Sequence, residues 1–308
     1  MPVDHCFAAL LADKRSELRP PPPHVTLQDM RAGNKAYLAA TPKVEIHSVE
    51  DAVIEGTDGA LAVRLYRPSP DRGLPATLFC HGGGFVLGDL DTHDSICHQL
   101  ARSANRVVVS VDYRRAPETR FPGAAEDCYA ALAWIVAQAG ALGVDATRIT
   151  LCGDSAGANL AFATAQLARS RGPRVRHLAM LYPMIDPACD TASMHEFARG
   201  FLLSRAAVQW CWSLYLADPK DAKNPLAAPM RADAQGLPPT SVSTAEFDPL
   251  RDEGDALAAQ LRTAGVPVVS RRYAGMLHGF AGLSHLTPVA ARAIEDIAAD
   301  ISDSCGPS

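Results

Sequence analysis

The chain has 308 residues, of which 48% are hydrophobic and 20% are charged, and its formal net charge is −5 at pH 7. This length and apolar content are typical of a large α/β domain with a sizeable core. The mild acidity and the absence of basic runs exclude a surface built for nucleic acid. We expect no signal peptide and no membrane anchor, because the N-terminal apolar run at 6–12 is short and flanked by acids.

Cysteine usage gives an indication of the compartment. The eight cysteines are scattered and form no C-x-x-C pair. They are Cys6, Cys80, Cys97, Cys128, Cys152, Cys189, Cys211 and Cys305. Several lie in apolar segments, where cysteine behaves as a small hydrophobe. The pattern predicts reduced thiols in a cytoplasmic protein.

The first forty or so residues are predicted to be helical and separate from the rest of the chain. The prolines at 20–23 break them into two parts, and Thr26 with Asp29 is typical of a helix start with a capping-box acid. Two alternating segments then predict half-buried strands, and six further segments predict strands of which most are continuous apolar runs. In chain order these strands are 44–49, 61–66, 77–80, 107–111, 149–151, 178–182, 241–244 and 266–270.

Predicted helices alternate with the later strands, at about 94–103, 124–139, 156–170, 251–264 and 288–301. This alternation predicts an α/β fold, with a mostly parallel eight-stranded sheet and helices on both faces. Residues 184–230 interrupt the alternation and predict a helical insertion. We expect it to pack with the N-terminal helices of 1–43 as a cap, over a catalytic core made of 44–183 and 231–308.

Segment 153–157 reads G-D-S-A-G and lies where a β-rich segment meets a helical one. That context is typical of a nucleophile elbow, in which small neighbours leave room for a sharp turn at Ser155. A serine hydroxyl needs a base, and the base needs an orienting carboxylate. The order serine, acid, histidine selects Asp248 and His278, each just after a predicted strand at the carboxyl edge of the sheet.

Several rivals to these partners stand nearby in the sequence. His285 is the nearest competing histidine, but it lacks flanking glycines, whereas His177 and His195 come too early in the order. The competing acids are Glu246, Asp252, Glu253 and Asp255. Asp252 and Asp255 fit the first turn of the next helix, where acids favour the helix dipole.

Segment 81–84 reads H-G-G-G directly after the third predicted strand. Three consecutive glycines weaken local order, so they need a reason beyond a plain turn. A backbone that approaches a developing oxyanion and donates N–H groups to it supplies that reason. We expect the donors to be Gly83, Gly84 and Ala156, and we expect His81 to be structural rather than catalytic.

Together these motifs resemble the hormone-sensitive-lipase-like family of α/β-hydrolases, and the bacterial esterases with a G-D-S-A-G motif in particular. Further matches are D-Y-R-R-A-P-E at 112–118, D-P-L-R-D-E-G at 248–254 and H-G-F at 278–280. The resemblance implies a carboxylic-ester hydrolase that acts through an acyl-enzyme, without a metal or organic cofactor, on small-molecule esters with short to medium acyl chains. It also implies a homodimer through the edge strand near 268–273.

The residues that contact the substrate are harder to predict. The cap and the core supply seven candidates: Phe85, Tyr182, Phe201, Leu203, Trp210, Tyr215 and Leu277. The same side chains could equally pack the cap onto the sheet. Two other functions stay open at the level of sequence: an amidase or carbamate-type hydrolase with the same catalytic groups, and a ligand-binding protein on a hydrolase scaffold.

Overall fold

The computed structural model describes residues 2–13 and 16–304, so Cys305 lies outside the described residues. Eight strands form one sheet in the order β1-β2-β4-β3-β5-β6-β7-β8. The strands are β1 (Ser48–Gly56), β2 (Gly59–Arg67), β3 (Leu74–Cys80), β4 (Val107–Val111), β5 (Val144–Asp154), β6 (Leu178–Leu181), β7 (Thr240–Phe247) and β8 (Val268–Leu277). The β1–β2 and β2–β4 pairs are antiparallel and the others are parallel. The predicted mostly parallel, eight-stranded sheet is confirmed.

The helices follow the predicted alternation closely. They are α1 (Ala8–Ala12), α2 (Leu27–Leu38), α3 (Asp94–Ala104), α4 (Gly123–Ala137), α5 (Ala139–Leu142), α6 (Ala156–Arg171), α7 (Ala192–Glu196), α8 (Arg205–Tyr215), α9 (Arg251–Thr263) and α10 (Pro288–Ser304). Helix α2 begins with the capping box expected from its sequence, because the Thr26 hydroxyl accepts from the Asp29 N–H and the Asp29 carboxylate accepts from the Thr26 N–H.

The core has two halves, one on each face of the sheet. Along β3, Leu78 and Cys80 belong to the cluster that includes α4, α6 and α9, whereas Phe79 belongs to the cluster that includes α3 and α10. Successive side chains of a strand point to opposite faces, so a continuous apolar run buries both faces of the sheet. Helices therefore cover the sheet on both sides, as predicted.

Several strand boundaries differ from the sequence expectation, most of all in β1, expected at 44–49, in β5, expected at 149–151, and in β8, expected at 266–270. The first strand begins at Ser48 rather than at residue 44, and β8 continues to Leu277 instead of ending near 270. The extension of β8 carries Arg271 and Arg272, whose side chains pair with Asp300 and Asp255 respectively. These ion pairs give both charged side chains a partner at the edge of the sheet.

The N-terminal segment and the 184–230 insertion contact each other. Leu18 and Leu203 form a parallel β-bridge, and the Leu18 N–H donates to the Leu202 carbonyl over 2.6 Å. The Ser204 hydroxyl donates to the Leu18 carbonyl over 2.8 Å. We refer to residues 2–13, 16–43 and 184–230 as the cap segments.

Three further findings concern the chain as a whole. The seven cysteines among the described residues are unpaired, and six of them are buried. Within the same described ranges, no helix is both long enough and apolar enough to cross a bilayer. Nor does this part of the chain hold a group of three or more histidine, cysteine or acidic side chains arranged to bind a metal ion.

Candidate active site

Ser155 occupies a strained turn between β5 and α6. Its φ is 54° and its ψ is −121°, a backbone conformation that side-chain-bearing residues rarely adopt and that costs about 1–3 kcal/mol. The flanking glycines make the turn possible. A methyl group on Gly153 would strike the Gly157 carbonyl, and one on Gly157 would strike the Cys80 carbonyl. The G-x-S-x-G spacing is thus dictated by backbone contacts on both sides of the serine.

Two hydrogen bonds connect the candidate catalytic residues, one between Ser155 and His278 and one between His278 and Asp248. The Ser155 Oγ is 2.9 Å from Nε2 of His278, and Nδ1 of His278 is 2.8 Å from Oδ2 of Asp248. The other Asp248 oxygen accepts from the Leu250 N–H over 2.8 Å. Asp248 is fully buried, whereas the His278 side chain keeps 12% exposure. The arrangement has the nucleophile, base and orienting carboxylate that acyl transfer requires.

The rival residues have other partners. His285 is exposed and lies edge-on to the Tyr37 ring, 6.4 Å away. Glu246 accepts from the Gly275 N–H over 2.7 Å. Among the remaining rival acids, Asp252 bonds to the Ser193 N–H and Glu253 to the Ile185 N–H. Asp255 pairs with Arg272. Asp248 is therefore the acid that is hydrogen-bonded to His278, whereas each competing acid has a different partner.

The loop after β3 brings two glycines to the same site. Gly83 and Gly84 have φ values of 115° and 62°. A methyl group on Gly83 would strike the Leu87 carbonyl, and one on Gly84 would strike the Cys211 sulfur. Among the described residues, the N–H groups of Gly83, Gly84 and Ala156 have no hydrogen-bond partner. These three N–H groups are therefore available to an external acceptor.

A buried polar network that the sequence reasoning missed supports this loop. Asp154, next to the serine, accepts from the Gly82 N–H over 2.8 Å, and Nε2 of His93 lies 3.2 Å from the same carboxylate. Burial alone would raise the pKa of Asp154, but the charge of His93 and the hydrogen bonds outweigh it and hold that pKa below its usual range. Asp154 lies inside the elbow motif, so the sequence could have indicated its role. No sequence pattern pointed to His93.

His81 has the structural role expected of it. Its Nδ1 lies 2.8 Å from the Gly82 carbonyl, and its ring stacks on Tyr113 with a centroid distance of 4.1 Å. The Tyr113 hydroxyl also donates to the His81 carbonyl over 2.8 Å. Burial, reinforced by neighbouring His93, lowers the pKa of His81 to about 3, so the ring is neutral at pH 7.

A cavity of about 230 Å³, which we call the substrate cavity, opens in front of Ser155 and His278. Two of the seven predicted contact residues line it. Tyr182 lies edge-on to the His278 ring with a centroid distance of 4.9 Å, and Leu203 comes from the insertion. The sequence reasoning missed further lining residues on several elements, among them Leu18, Asn34, Ile96, Met184, Val208 and Cys211.

The other five predicted contact residues lie outside the lining, and packing explains each case. Phe85 stacks on Tyr215 with a centroid distance of 3.8 Å, which attaches α8 to the loop after β3. Phe201 packs edge-on to Phe197 at 4.9 Å. Trp210 is half-buried against the first core cluster, and Leu277 is fully buried in the second.

Comparison with known proteins agrees with this geometry. A family model described as the alpha/beta hydrolase fold matches residues 77–282. The chain is similar to the carboxylic ester hydrolase LipN of Mycobacterium tuberculosis, with 42% identity over 83% of this chain and 70% of the relative. It is also similar to the ethyl acetate hydrolase of Pseudomonas putida, with 40% identity over 75% of each chain.

Among solved structures, the chain is similar to the hyperthermophilic esterase of Pyrobaculum calidifontis. The TM-score is 0.92 and the identity is 39%, over 98% of this chain and 99% of the other. The family model and the long alignments lead to one assignment: the chain belongs to the hormone-sensitive-lipase-like family of α/β-hydrolases.

Proposed function

We propose that the protein is a serine carboxylesterase that hydrolyses short- to medium-chain acyl esters through an acyl-enzyme. The observation that carries the proposal is the hydrogen-bonded chain Ser155–His278–Asp248, which opens on the substrate cavity beside three N–H groups that are free among the described residues. Relatives whose names denote carboxylic ester and ethyl acetate hydrolysis support the same reaction class.

In the acylation step, the Ser155 oxygen attacks the ester carbonyl carbon while Nε2 of His278 takes the hydroxyl proton. Asp248 accepts from the Nδ1–H, which fixes the tautomer and stabilises the imidazolium that forms. His278 then returns the proton to the leaving alcohol oxygen as the carbon–oxygen bond breaks. Water repeats the sequence on the acyl-enzyme and releases the carboxylic acid.

The tetrahedral intermediates carry a negative oxygen, which the N–H groups of Gly83, Gly84 and Ala156 stabilise. Donors that are held in place before the reaction need no reorganisation as the charge develops. The bond from the Gly82 N–H to Asp154 ties this loop to the residue preceding the nucleophile. Donor and nucleophile are therefore positioned by one connected set of contacts.

The substrate preference follows from the cavity. Its volume of about 230 Å³ and the apolar side chains of Leu18, Leu203 and Val208 favour a small hydrocarbon group. We expect the highest kcat/KM for acyl groups of about eight carbons or fewer, in line with the resemblance to short-chain esterases.

We infer that the predicted segments 1–43 and 184–230 act as a cap over the catalytic core formed by 44–183 and 231–308. The bridge between Leu18 and Leu203 supports this division, because both residues also line the substrate cavity. The cap segments thus contribute the wall that faces away from the sheet.

The decisive experiment is hydrolysis of p-nitrophenyl acetate, butyrate, octanoate and palmitate by wild type and by Ser155→Ala. We expect activity that falls at long chains, and a loss of about 10⁶ in kcat for the variant if the three residues act as a unit. A folded Ser155→Ala protein that keeps more than a tenth of wild-type activity would overturn the assignment. Faster cleavage of aryl amides than of matched esters would instead identify an amidase.

The expected homodimer through β8 and the expected cytoplasmic location stay predictions. β8 is an edge strand of the sheet, and its Val269 is 41% exposed, which supports pairing with a second copy. Light scattering on the purified protein, with Val269→Lys as the variant, tests the dimer. The six buried, unpaired cysteines support a reducing compartment.

A further inference from the structure

A second cavity lies behind the substrate cavity. It has a volume of about 230 Å³ and lies between α3, α10 and residues 42–44; we call it the back cavity. Its lining includes the exposed residues Pro42, Lys43 and Ser284, so it is partly open to solvent. The mechanism proposed above assigns no role to it. Its position matters because it shares a wall with the space in front of Ser155.

The wall between the two cavities consists of the Ile96 side chain and the turn that follows His278. Ile96 lines both cavities. In the turn after His278, Gly282 and Leu283 line the substrate cavity, whereas Ala281 and Ser284 line the back cavity. A methyl group on Gly282 would lie 3.8 Å from Cδ1 of Ile96, which is ordinary van der Waals contact. Ile96 thus closes against the turn.

The back cavity suits hydrocarbon rather than charge. Most of its lining is aliphatic, with Val44, Ala290, Ala291 and Ile294 among the contributors. Within the described part of the chain, the one charged residue that lines it is Lys43, whose ammonium group pairs with Asp94. A linear alkyl chain can be buried there without leaving a charge unpaired.

We propose that Ile96 sets the upper limit on the alkyl chain of the ester, and that the back cavity is an extension of the substrate cavity from which the Ile96 side chain separates it. This inference rests on the proposed esterase function and deepens it. With Ile96 in place, a chain that reaches the wall stops at its side chain. With a smaller residue there, the two cavities join and a longer chain gains apolar contacts. Each further methylene buried is worth about fourfold in kcat/KM.

The test compares Ile96→Ala with the matched control Ile294→Ala. Both substitutions remove the same atoms and enlarge the back cavity, but Ile294 does not line the substrate cavity and leaves the wall closed. kcat/KM is measured at monomeric substrate concentrations on p-nitrophenyl butyrate to laurate, and on ethyl to decyl acetate. The first series extends the acyl side and the second extends the alcohol side, so the series that responds identifies which chain the wall limits.

We expect the laurate-to-butyrate ratio, or the decyl-to-ethyl ratio, to rise at least tenfold in Ile96→Ala and to stay within twofold of wild type in Ile294→Ala. Adding Ala291→Phe to Ile96→Ala should fill the back cavity and restore the wild-type ratio. Thermal unfolding verifies that each protein is folded. If Ile96→Ala is unstable, Ile96→Val should give a smaller shift in the same direction.

A folded Ile96 variant that keeps the wild-type ratio in both series overturns this inference, as does an equal shift in Ile294→Ala. Either result leaves the proposed esterase function intact, because wild-type hydrolysis of butyrate still depends on Ser155. Absence of serine-dependent hydrolysis in the wild type overturns the proposed function, and this inference falls with it.

Discussion

The carboxyl edge of the sheet and the cap segments are built by different means. At the sheet edge, backbone contacts fix Ser155, Gly83 and Gly84, and any added methyl group would strike a backbone or a packed sulfur atom. In the cap segments, position depends on contacts between parts of the chain that are distant in sequence, such as the β-bridge between Leu18 and Leu203. Short motifs therefore encode the reaction, whereas long-range packing encodes the shape of the substrate cavity.

Arg31 is a principal contact between the two regions. From α2 its guanidinium donates to the Val86 and Ala116 carbonyls, each over 2.9 Å. It also forms a bidentate pair with Glu118 at 2.7 and 2.8 Å. The planar fork of arginine matches a carboxylate in this way, and lysine does not. One cap side chain therefore grips the loops next to the glycine-rich loop.

After the loss of Ser155 itself, the largest effect is expected at the sheet edge, for Asp248→Asn. An amide in place of the carboxylate favours the wrong tautomer of His278, so kcat should fall about 10⁴-fold. The matched control is Glu246→Gln, because Glu246 is close in sequence but accepts from the Gly275 N–H instead. Steady-state kinetics on p-nitrophenyl butyrate measures both. Equal losses in the two variants would reject Asp248 as the orienting acid.

Gly84→Ala tests the place where the two regions touch. The new methyl group would meet the Cys211 sulfur of α8, and the alanine would have to adopt a φ of 62°, which is strained for a residue with a side chain. Displacing this N–H should lower kcat about 10²–10³-fold.

Adding Cys211→Ala removes the sulfur and should recover part of that loss. Cys211→Ala alone is the reference for the double variant, because Cys211 also lines the substrate cavity. If the double variant is no better than Gly84→Ala, backbone strain and not the contact with α8 limits the loop.

A smaller effect, on substrate binding, is expected for Arg31→Ala. Without this contact α2 is held less firmly, so KM should rise about tenfold with little change in kcat, the signature of lost uniform binding. Arg171→Ala is the control, since it breaks a comparable Arg–Glu pair with Glu126 on the outer surface. A fall in kcat without a rise in KM in Arg31→Ala would show that Arg31 acts on the reaction step and not on the cap.

The smallest effect concerns acid stability. Arg31 lowers the pKa of Glu118 to about 2. Because the folded-state pKa is depressed, the pair stabilises the protein above the ordinary glutamate pKa, and that contribution is lost as the pH falls from about 4.3 towards 2. The Glu118 side chain is 61% exposed, so screening limits the effect to about 3 °C in Tm.

Thermal unfolding of wild type and Glu118→Gln at pH 7 and pH 3 measures this contribution. The two Tm values should differ at pH 7 and approach each other at pH 3. If the Tm difference is the same at both pH values, the ion pair between Glu118 and Arg31 is not its cause.

The sequence was enough to predict the parts of the molecule that depend on local pattern. Continuous apolar runs predicted the inner strands, and the spacing of G-D-S-A-G, Asp248 and His278 selected residues that lie within hydrogen-bond distance. In each case the physical requirement is satisfied within a few residues, or at the end of a strand. The helix alternation was equally local and was confirmed.

The lining of the substrate cavity could not be predicted, because it is assembled from side chains whose neighbours lie far away in sequence. Phe85 and Tyr215 were reasonable candidates, but each finds its best aromatic partner in the other. Ile96 carried no signal, since a helical isoleucine is ordinarily a core residue. His93 was missed because its partner Asp154 lies 61 positions away in the sequence.

The long separation between Ser155 and His278 has a consequence for how the enzyme matures. The two residues are 123 positions apart, and His278 directly follows β8. The nucleophile therefore has no base until β8 has paired with β7, and contacts of such high sequence separation form slowly. Regain of hydrolysis should thus lag behind regain of helical circular dichroism during renaturation. Ester hydrolysis therefore reports that the sheet is completely assembled. A nascent or partly folded chain, in which β8 is not yet paired, cannot hydrolyse esters.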